Sequence, residues 1–446
     1  LKEVVIMRKI KNLVTFVFVS LWIMMPLHAE LVIDVTSGSV EPMPIAVTDF
    51  YGTTPHLAEI GAQISKIVSD DLESCGLFKP LDKMAFIQSP AQLRDYIRHA
   101  DWRLINAQTL VRGEIKQLSD GHLRVEFRLF DVISEKQMEG LSFPFDPKLI
   151  RRIAHKIADA IYKRVTGDEG YFDTRIVYVS QTGPLTNARK RLAIMDQDGA
   201  NAKLLSLGDT SVLTPRFSPD GQEIAYLEFS RQRNMAPHVY RIQLSTLQRQ
   251  LVGNFKGMTF APHYSPDGKN VVMSFSAGGR TSLYKMNIFT RTVQRLTDGP
   301  VIDTSPCYSP DGTKIVFNSD RGGKPQLYIM SAEGGEAQRI SFGQGRYMTP
   351  VWSPRGDLIA FTKQHAGNFY IGVIKPDGTG ERLIAQGYVV EDPCWSPNGR
   401  VIMFTRMERS GKSKIYKVDM TGYNERLIPT PVGTEARGPS WSPPLN

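Results

Sequence analysis

The sequence predicts a multidomain α/β plus all-β protein, in which a small N-terminal α/β domain precedes a six-bladed β-propeller closed by the C-terminal strand. Three observations carry that expectation. A turn motif recurs six times at nearly constant spacing; each full copy is followed by short strand patterns; and the residues before the first copy mix helical and strand periods without repeating.

The chain has 446 residues, with 41% hydrophobic and 22% charged residues, a globular composition that argues against disorder and against a polytopic membrane protein. At the N-terminus, basic Arg8, Lys9 and Lys11 precede the apolar run Leu13–Met25 and then Pro26-Leu27-His28-Ala29. This is the pattern of a secretory signal peptide. The run reaches only about 20 Å as a helix, whereas the hydrocarbon core is about 30 Å thick. Cleavage between Ala29 and Glu30 is therefore expected, with 1–29 removed and the mature chain exported. Without Lys2, Arg8, Lys9 and Lys11 against Glu3, the formal charge falls from +9 to +6, and no basic cluster follows. Nucleic acid is not an expected partner.

Residues 30–168 form the expected α/β domain. Glu30–Ser37 is β-prone and alternating; it reads equally as a strand of its own domain or as a segment offered to another protein by strand addition. A strand over Ile45–Phe50 precedes a helix over Leu57–Cys75, whose Ile60, Ile64, Ile67, Val68 and Leu72 follow helical spacing. A second helix starts at Pro90. Strands follow at Thr109–Ile115 and Leu123–Ile133, the latter alternating Val125, Phe127 and Leu129 with Arg124, Glu126 and Arg128. A last helix, Pro147–Thr166, leads into the connection Gly167–Thr174.

The propeller is assigned to 169–446. Its motif reads TPRFSPDG from Thr214, APHYSPDG from Ala261, SPCYSPDG from Ser305, TPVWSPRG from Thr349, DPCWSPNG from Asp392 and GPSWSP from Gly438. The serines, Ser218, Ser265, Ser309, Ser353, Ser396 and Ser442, are separated by 47, 44, 44, 43 and 46 residues. Four strands per such period is the propeller pattern. Arg175–Ser180 begins a repeat that lacks its leading motif, and Trp441-Ser442-Pro443 is a leading motif without followers, so the two complete one blade. The SPDG box itself reads as a turn: Pro sets φ, Gly accepts positive φ, and Ser and Asp bond to nearby amides.

No HExxH, GxSxG, P-loop or EF-hand pattern occurs, and the cysteines Cys75, Cys307 and Cys394 have neither CxxC spacing nor a nearby His. No catalytic residue, cofactor or metal is expected. His56, His99 and His155 read as surface or hydrogen-bonded side chains. The stretches before each motif proline vary, and in a propeller such loops gather at one mouth of the axial channel. Leu213, Met258, Phe260, Tyr347 and Met348 supply apolar surface there, and Asp303, Glu391 and Arg437 a charged rim, a mix suited to gripping protein.

The signal segment, the mature start ELVIDVTSG, the PMPIAVTDF strand, the TGDEGYFDTRIVYVS junction and the six boxes ending at WSP together resemble the TolB family, periplasmic components of the Tol–Pal system of Gram-negative bacteria. The resemblance covers essentially the whole chain. It implies binding of the outer-membrane lipoprotein Pal at the propeller mouth, through residues among Leu213, Met258, Thr259, Phe260, Asp303, Thr304, Tyr347, Met348, Glu391 and Arg437. It also implies binding of the inner-membrane protein TolA through Glu30, Leu31, Val32, Ile33, Asp34 and Val35, and exploitation by colicin-like peptides. The implied role is outer-membrane integrity and constriction during division, by a monomer not embedded in the membrane. Lys256-Gly257-Met258-Thr259 stands where the family carries a His-containing loop, so the resemblance leaves the Pal-contacting side chains open. The competing class, the propeller of a prolyl-oligopeptidase-like peptidase, requires a hydrolase domain; with no GxSxG elbow and four residues after Ser442, none is expected.

Overall fold

The first helix begins where its sequence supplies a cap and a start. Thr54 Oγ1 accepts the Leu57 amide at 3.3 Å and Pro55 occupies the first turn, so α1 runs Pro55–Ser74. In this computed structural model the described residues are 41–184, 187–206, 210–230, 237–253 and 258–445. The signal segment, its cleavage pair Ala29 and Glu30, and the segment Glu30–Val35 lie outside them.

The N-terminal sheet has the order β3-β1-β4-β5-β6, formed by β1 (Met43–Val47), β3 (Phe78–Pro80), β4 (Thr109–Gln117), β5 (Leu123–Asp131) and β6 (Gln137–Phe145), with β2 (Tyr51–Gly52) also pairing β4. β1 runs parallel to β3 and β4, and β4-β5-β6 is an antiparallel meander. The inward positions Val125, Phe127 and Leu129 are buried, as alternation predicts. α1 and the last helix, α4 (Ile150–Thr166), pack together over the sheet. They bury Ile60, Ile64, Val68 and Leu72 from one and Ile153, Ile157, Ile161 and Val165 from the other. α4 ends at Gly167, whose φ of 76° suits the left-handed cap and whose amide reaches Lys163 O at 2.9 Å. The helix expected from Pro90 stops at Asp95 (α2), and a second short one follows at His99–Leu104 (α3). β6 had no sequence signature, because it is a mostly exposed edge strand without alternation, with Gly140 in its middle.

Six four-stranded antiparallel sheets follow. The motif-bearing strand lies at one edge of each: Thr210–Phe217, Met258–Tyr264, Asp303–Tyr308, Arg346–Trp352, Val389–Trp395 and Glu435–Trp441. Each touches its counterpart in the next sheet, and Glu435–Trp441 touches both Val389–Trp395 and Thr210–Phe217, so the six close around an axis. Closure is a strand pairing. Glu435–Trp441 runs antiparallel to Arg175–Thr182, and beyond it Ser442 N donates to Arg175 O while Arg175 N donates to Ser442 Oγ, both at 2.8 Å. The other motif serines are bound into their turns. Ser218 Oγ accepts the Glu223 amide at 2.9 Å and donates to Asp220 Oδ1, and the same pattern recurs at Ser265 and Ser309.

The two parts meet through one continuous apolar core. Tyr162, Tyr171 and Phe172 cluster with Ile176, Met403, Ile415 and Trp441, and Trp441 stands edge-on to Tyr171 at 5.6 Å while its Nε1 donates to Thr174 Oγ1 at 2.7 Å. Around it, Asp168 receives Arg400 at 2.6 Å and Arg355 at 3.0 Å, and Asn398 Nδ2 donates to Glu169 O at 2.8 Å. Burial works against the Asp168 charge, but the two guanidiniums hold its carboxyl below the ordinary range.

A folded-state pKa held low gives stability that is present above the ordinary Asp pKa of about 4 and is lost as pH falls through the folded value. Asp168→Asn should therefore lower Tm at pH 7 by roughly 2–4 °C, the equivalent of about 1 kcal/mol, with the wild-type and variant melting temperatures converging near pH 3. Calorimetry at both pH values decides it, and coincident melting at pH 7 would count against the bridge.

Candidate functional site: the axial channel and its two mouths

Every inner strand breaks register at its Xaa-Pro pair. The ladder shifts between Leu213 and Arg216, Phe260 and His263, Thr304 and Cys307, Met348 and Val351, Glu391 and Cys394, and Arg437 and Ser440. Proline has no N–H for the ladder, so the pair bulges out of it. In five of the strands the residue before the proline is left-handed: Thr214, Ser305, Thr349 and Asp392 have φ between 44° and 55°, and Gly438 has 55°. For non-glycine residues such a conformation costs of order 1 kcal/mol or more and persists only where the surroundings enforce it. The stretches expected as mouth loops are thus corrected: they are the leading halves of the inner strands, ending in these bulges.

Beyond the bulge the strands line the channel. The motif column between proline and the aromatic residue reads Arg216, His263, Cys307, Val351, Cys394 and Ser440, followed by a belt of Phe217, Tyr264, Tyr308, Trp352, Trp395 and Trp441; together with the box prolines and all the box serines but Ser265 they line a cavity of about 470 Å³. The charge of Arg216 is felt at His263, Cys307, Asp392 and Cys394, residues of three other blades, which places its guanidinium near the axis. Burial, helped by Arg216, pulls the His263 pKa down to about 4. The neutral ring bridges Tyr264 O through Nδ1 at 3.1 Å and Cys307 Sγ through Nε2 at 3.3 Å. Burial pushes the Cys307 and Cys394 thiols up to about 12; both are free, as is buried Cys75. Sequence reasoning passed over Arg216, although its signal was present: it is the one permanently charged residue in the variable column between the motif proline and the aromatic residue.

The first domain's contacts named above fall at the turn end of the channel. The opposite mouth, where the inner strands begin, is free of them. There the predicted residues separate by strand parity. Leu213, Thr304, Met348, Glu391 and Arg437 are partly exposed, whereas Asp303 and Tyr347 are sealed in their blades. Both Asp303 carboxylate oxygens accept from Arg321 Nη2 at 3.0 Å, and the Tyr347 hydroxyl bonds to Glu381 at 2.9 Å under Lys363. Thr304 Oγ1 accepts from Asn318 at 2.7 Å, and Arg437 Nε donates to Ser413 Oγ at 2.7 Å. Met258, Thr259 and Phe260 open the second inner strand, and their side chains are outside the described residues. Outside this rim, a cavity of about 1150 Å³ between the third and fourth blades is lined by small residues such as Gly322, Gly343 and Gly367 together with the basic side chains of Lys324, Arg339 and Arg346.

A family model described as "TolB amino-terminal domain" matches residues 31–138, and one described as "TolB beta propeller domain" matches 162–445. The Tol-Pal system protein TolB of Paramagnetospirillum magneticum is 52% identical over 257 residues, which are 57% of this chain and 57% of that protein. The alignment thus spans little more than half the length of this curated relative. The crystal structure of TolB from Acinetobacter baumannii superposes with a TM-score of 0.79 at 29% identity, over 90% of this chain and 97% of that one. Hydrazine synthase of Kuenenia stuttgartiensis, 13% identical with a TM-score of 0.51 over 61% of this chain and 47% of its own, shares the fold alone.

At the free mouth, burial and the neighbouring Asp392 charge push the Glu391 carboxyl up to about 7 against the pull of Arg437. The folded chain then keeps a proton that the unfolded chain, with a Glu pKa of about 4.3, has released, so stability falls as pH rises between those values. Wild type should lose more Tm between pH 5 and 7.5 than Glu391→Gln does. Parallel melting curves for the two would refute the shift.

Proposed function

We propose, on the premise that this chain belongs to the TolB family, that it works in the periplasm as a protein-binding component of the Tol–Pal system and catalyses no reaction. In this reading residues 1–29 are the cleaved signal, 30–168 the N-terminal domain and 169–446 the propeller. The observation that carries it is the free mouth. Each of five blades contributes one partly exposed residue there: apolar Leu213 and Met348, and polar Thr304, Glu391 and Arg437, the last two on adjacent blades. Apolar anchors beside polar residues, on strands paired within their blades, suit a preorganised protein-binding hot spot. The recurring serines offer no nucleophile, since their hydroxyls are engaged in the turns.

Pal is the partner we assign to this mouth, with the cavity between the third and fourth blades receiving the periphery of the complex. TolA is assigned to Glu30–Val35, and colicin-like peptides would compete for these surfaces. Bridging the two membranes in this way would support outer-membrane integrity and its invagination during division. Asp303 and Tyr347 act here as braces within their blades, not as contacts.

Titration calorimetry with the soluble domain of Pal tests the assignment. The double variant L213A/M348A should bind about tenfold more weakly or worse, as loss of hot-spot anchors does, with unchanged circular dichroism, and deletion of Glu30–Val35 should abolish capture of TolA while leaving capture of Pal. Full Pal affinity in the double variant would overturn the mouth as its site.

A further inference from the structure

His155 is the most informative side chain outside the channel. It lies on α4, only 4% exposed, with Nδ1 2.6 Å from Asp71 Oδ2 of α1. Its Nε2 has no hydrogen-bond partner. A buried ring nitrogen left unmatched is uncommon, and the ring sits at the seam with the propeller, where its partner Asp71 also takes Gln197 Nε2 at 2.8 Å. Across the seam, the turn after Arg189–Asp196 in the closing blade presents Asp196 and Asp198. One nitrogen of His155 and one oxygen from each aspartate lie within 4.8 Å of one another.

We propose that these three residues hold one divalent transition-metal ion, of the Zn²⁺ class, that ties α4 to the closing blade. One imidazole nitrogen and two carboxylate oxygens are a donor set for zinc, manganese or cobalt, while calcium takes oxygen alone. Ligand atoms around a tetrahedral zinc stand about 3.3 Å apart, so side-chain rotation closes the observed spread. The surroundings are those of a built site. Asp71 fixes the ring through Nδ1 and is itself held by Gln197 Nε2 at 2.8 Å, giving the carboxylate–histidine arrangement that orients metal-binding imidazoles. Asp198 keeps 31% of its side chain exposed, leaving a fourth position open to water.

The other polar contacts are compatible with this assignment. Arg151 lies 3.4 Å from Asp196 through Nε and pairs with Asp198 through Nη2, and Asn201 Nδ2 donates to Asp196 at 2.6 Å. Arg151 brings the two carboxylates together but supplies a single charge for two, and it gives His155 Nε2 nothing to bind. A divalent ion satisfies both deficits.

The test is calorimetric titration of ZnCl₂ into the untagged, metal-stripped mature chain, with CaCl₂ as comparator and cobalt absorption as a spectroscopic readout. One Zn²⁺ per chain is expected, with a rise in Tm, a visible cobalt d–d band, and no comparable response to Ca²⁺. His155→Ala and Asp198→Asn should each weaken Zn²⁺ binding at least about tenfold; because Asp198 is part-exposed, its variant folds even if the first does not. Absence of saturable one-to-one binding in wild type, or binding that survives both substitutions, overturns the proposal.

Discussion

The structure depends on one long-range pairing, that of Glu435–Trp441 with Arg175–Thr182. Until those strands meet, the sheets form an open row with unpaired edges, and no axis exists for Arg216 or the aromatic belt to surround. The same pairing brings Trp441 onto Tyr171 and Thr174. Ring closure and domain attachment are therefore one event in energetic terms. A change that loosens the last strand is felt both at the channel and at the seam.

The bulges show how a repeat can be structural and functional at once. Proline at a fixed place in each inner strand forces the chain out of the ladder, and the residue before it takes up a left-handed conformation that ordinary side chains avoid. The strain is tolerable because inner strands lie at a sheet edge and are clamped by the neighbouring blades. Its effect is to reset side-chain parity midway along the strand. Before the bulge, partly exposed residues such as Met348 alternate with buried ones such as Tyr347; after it, the column containing Arg216 and His263 lines the cavity.

The seam between the domains differs from a flexible hinge. An apolar core passes through it without interruption, and buried polar groups, Asp71, Gln197 and Lys417, are paired across it, with Lys417 Nζ 3.1 Å from Ser74 Oγ. Buried polar groups without partners are expensive, so such a network tolerates only one relative placement of the two parts.

Much of this was legible in the sequence. The blades, their number, the closing strand and the two long helices follow from local patterns: a Ser–Asp–backbone turn is completed within six residues, and apolar periodicity is written along each element. β6 escaped because an exposed edge strand needs no alternation. The site was legible only in part. The stretches at the mouth were identified, but whether a residue faces channel or blade turned on a bulge whose effect on parity no motif announces. Hence Asp303 and Tyr347 looked like rim residues and proved to be internal braces. The meeting of His155, Asp196 and Asp198, or of Arg216 with residues of three other blades, could be settled only by the closed ring. Such groups lie tens to hundreds of residues apart, and their distances are set by the summed rotation of the blades and the docking of α4, quantities that leave no pattern along the chain.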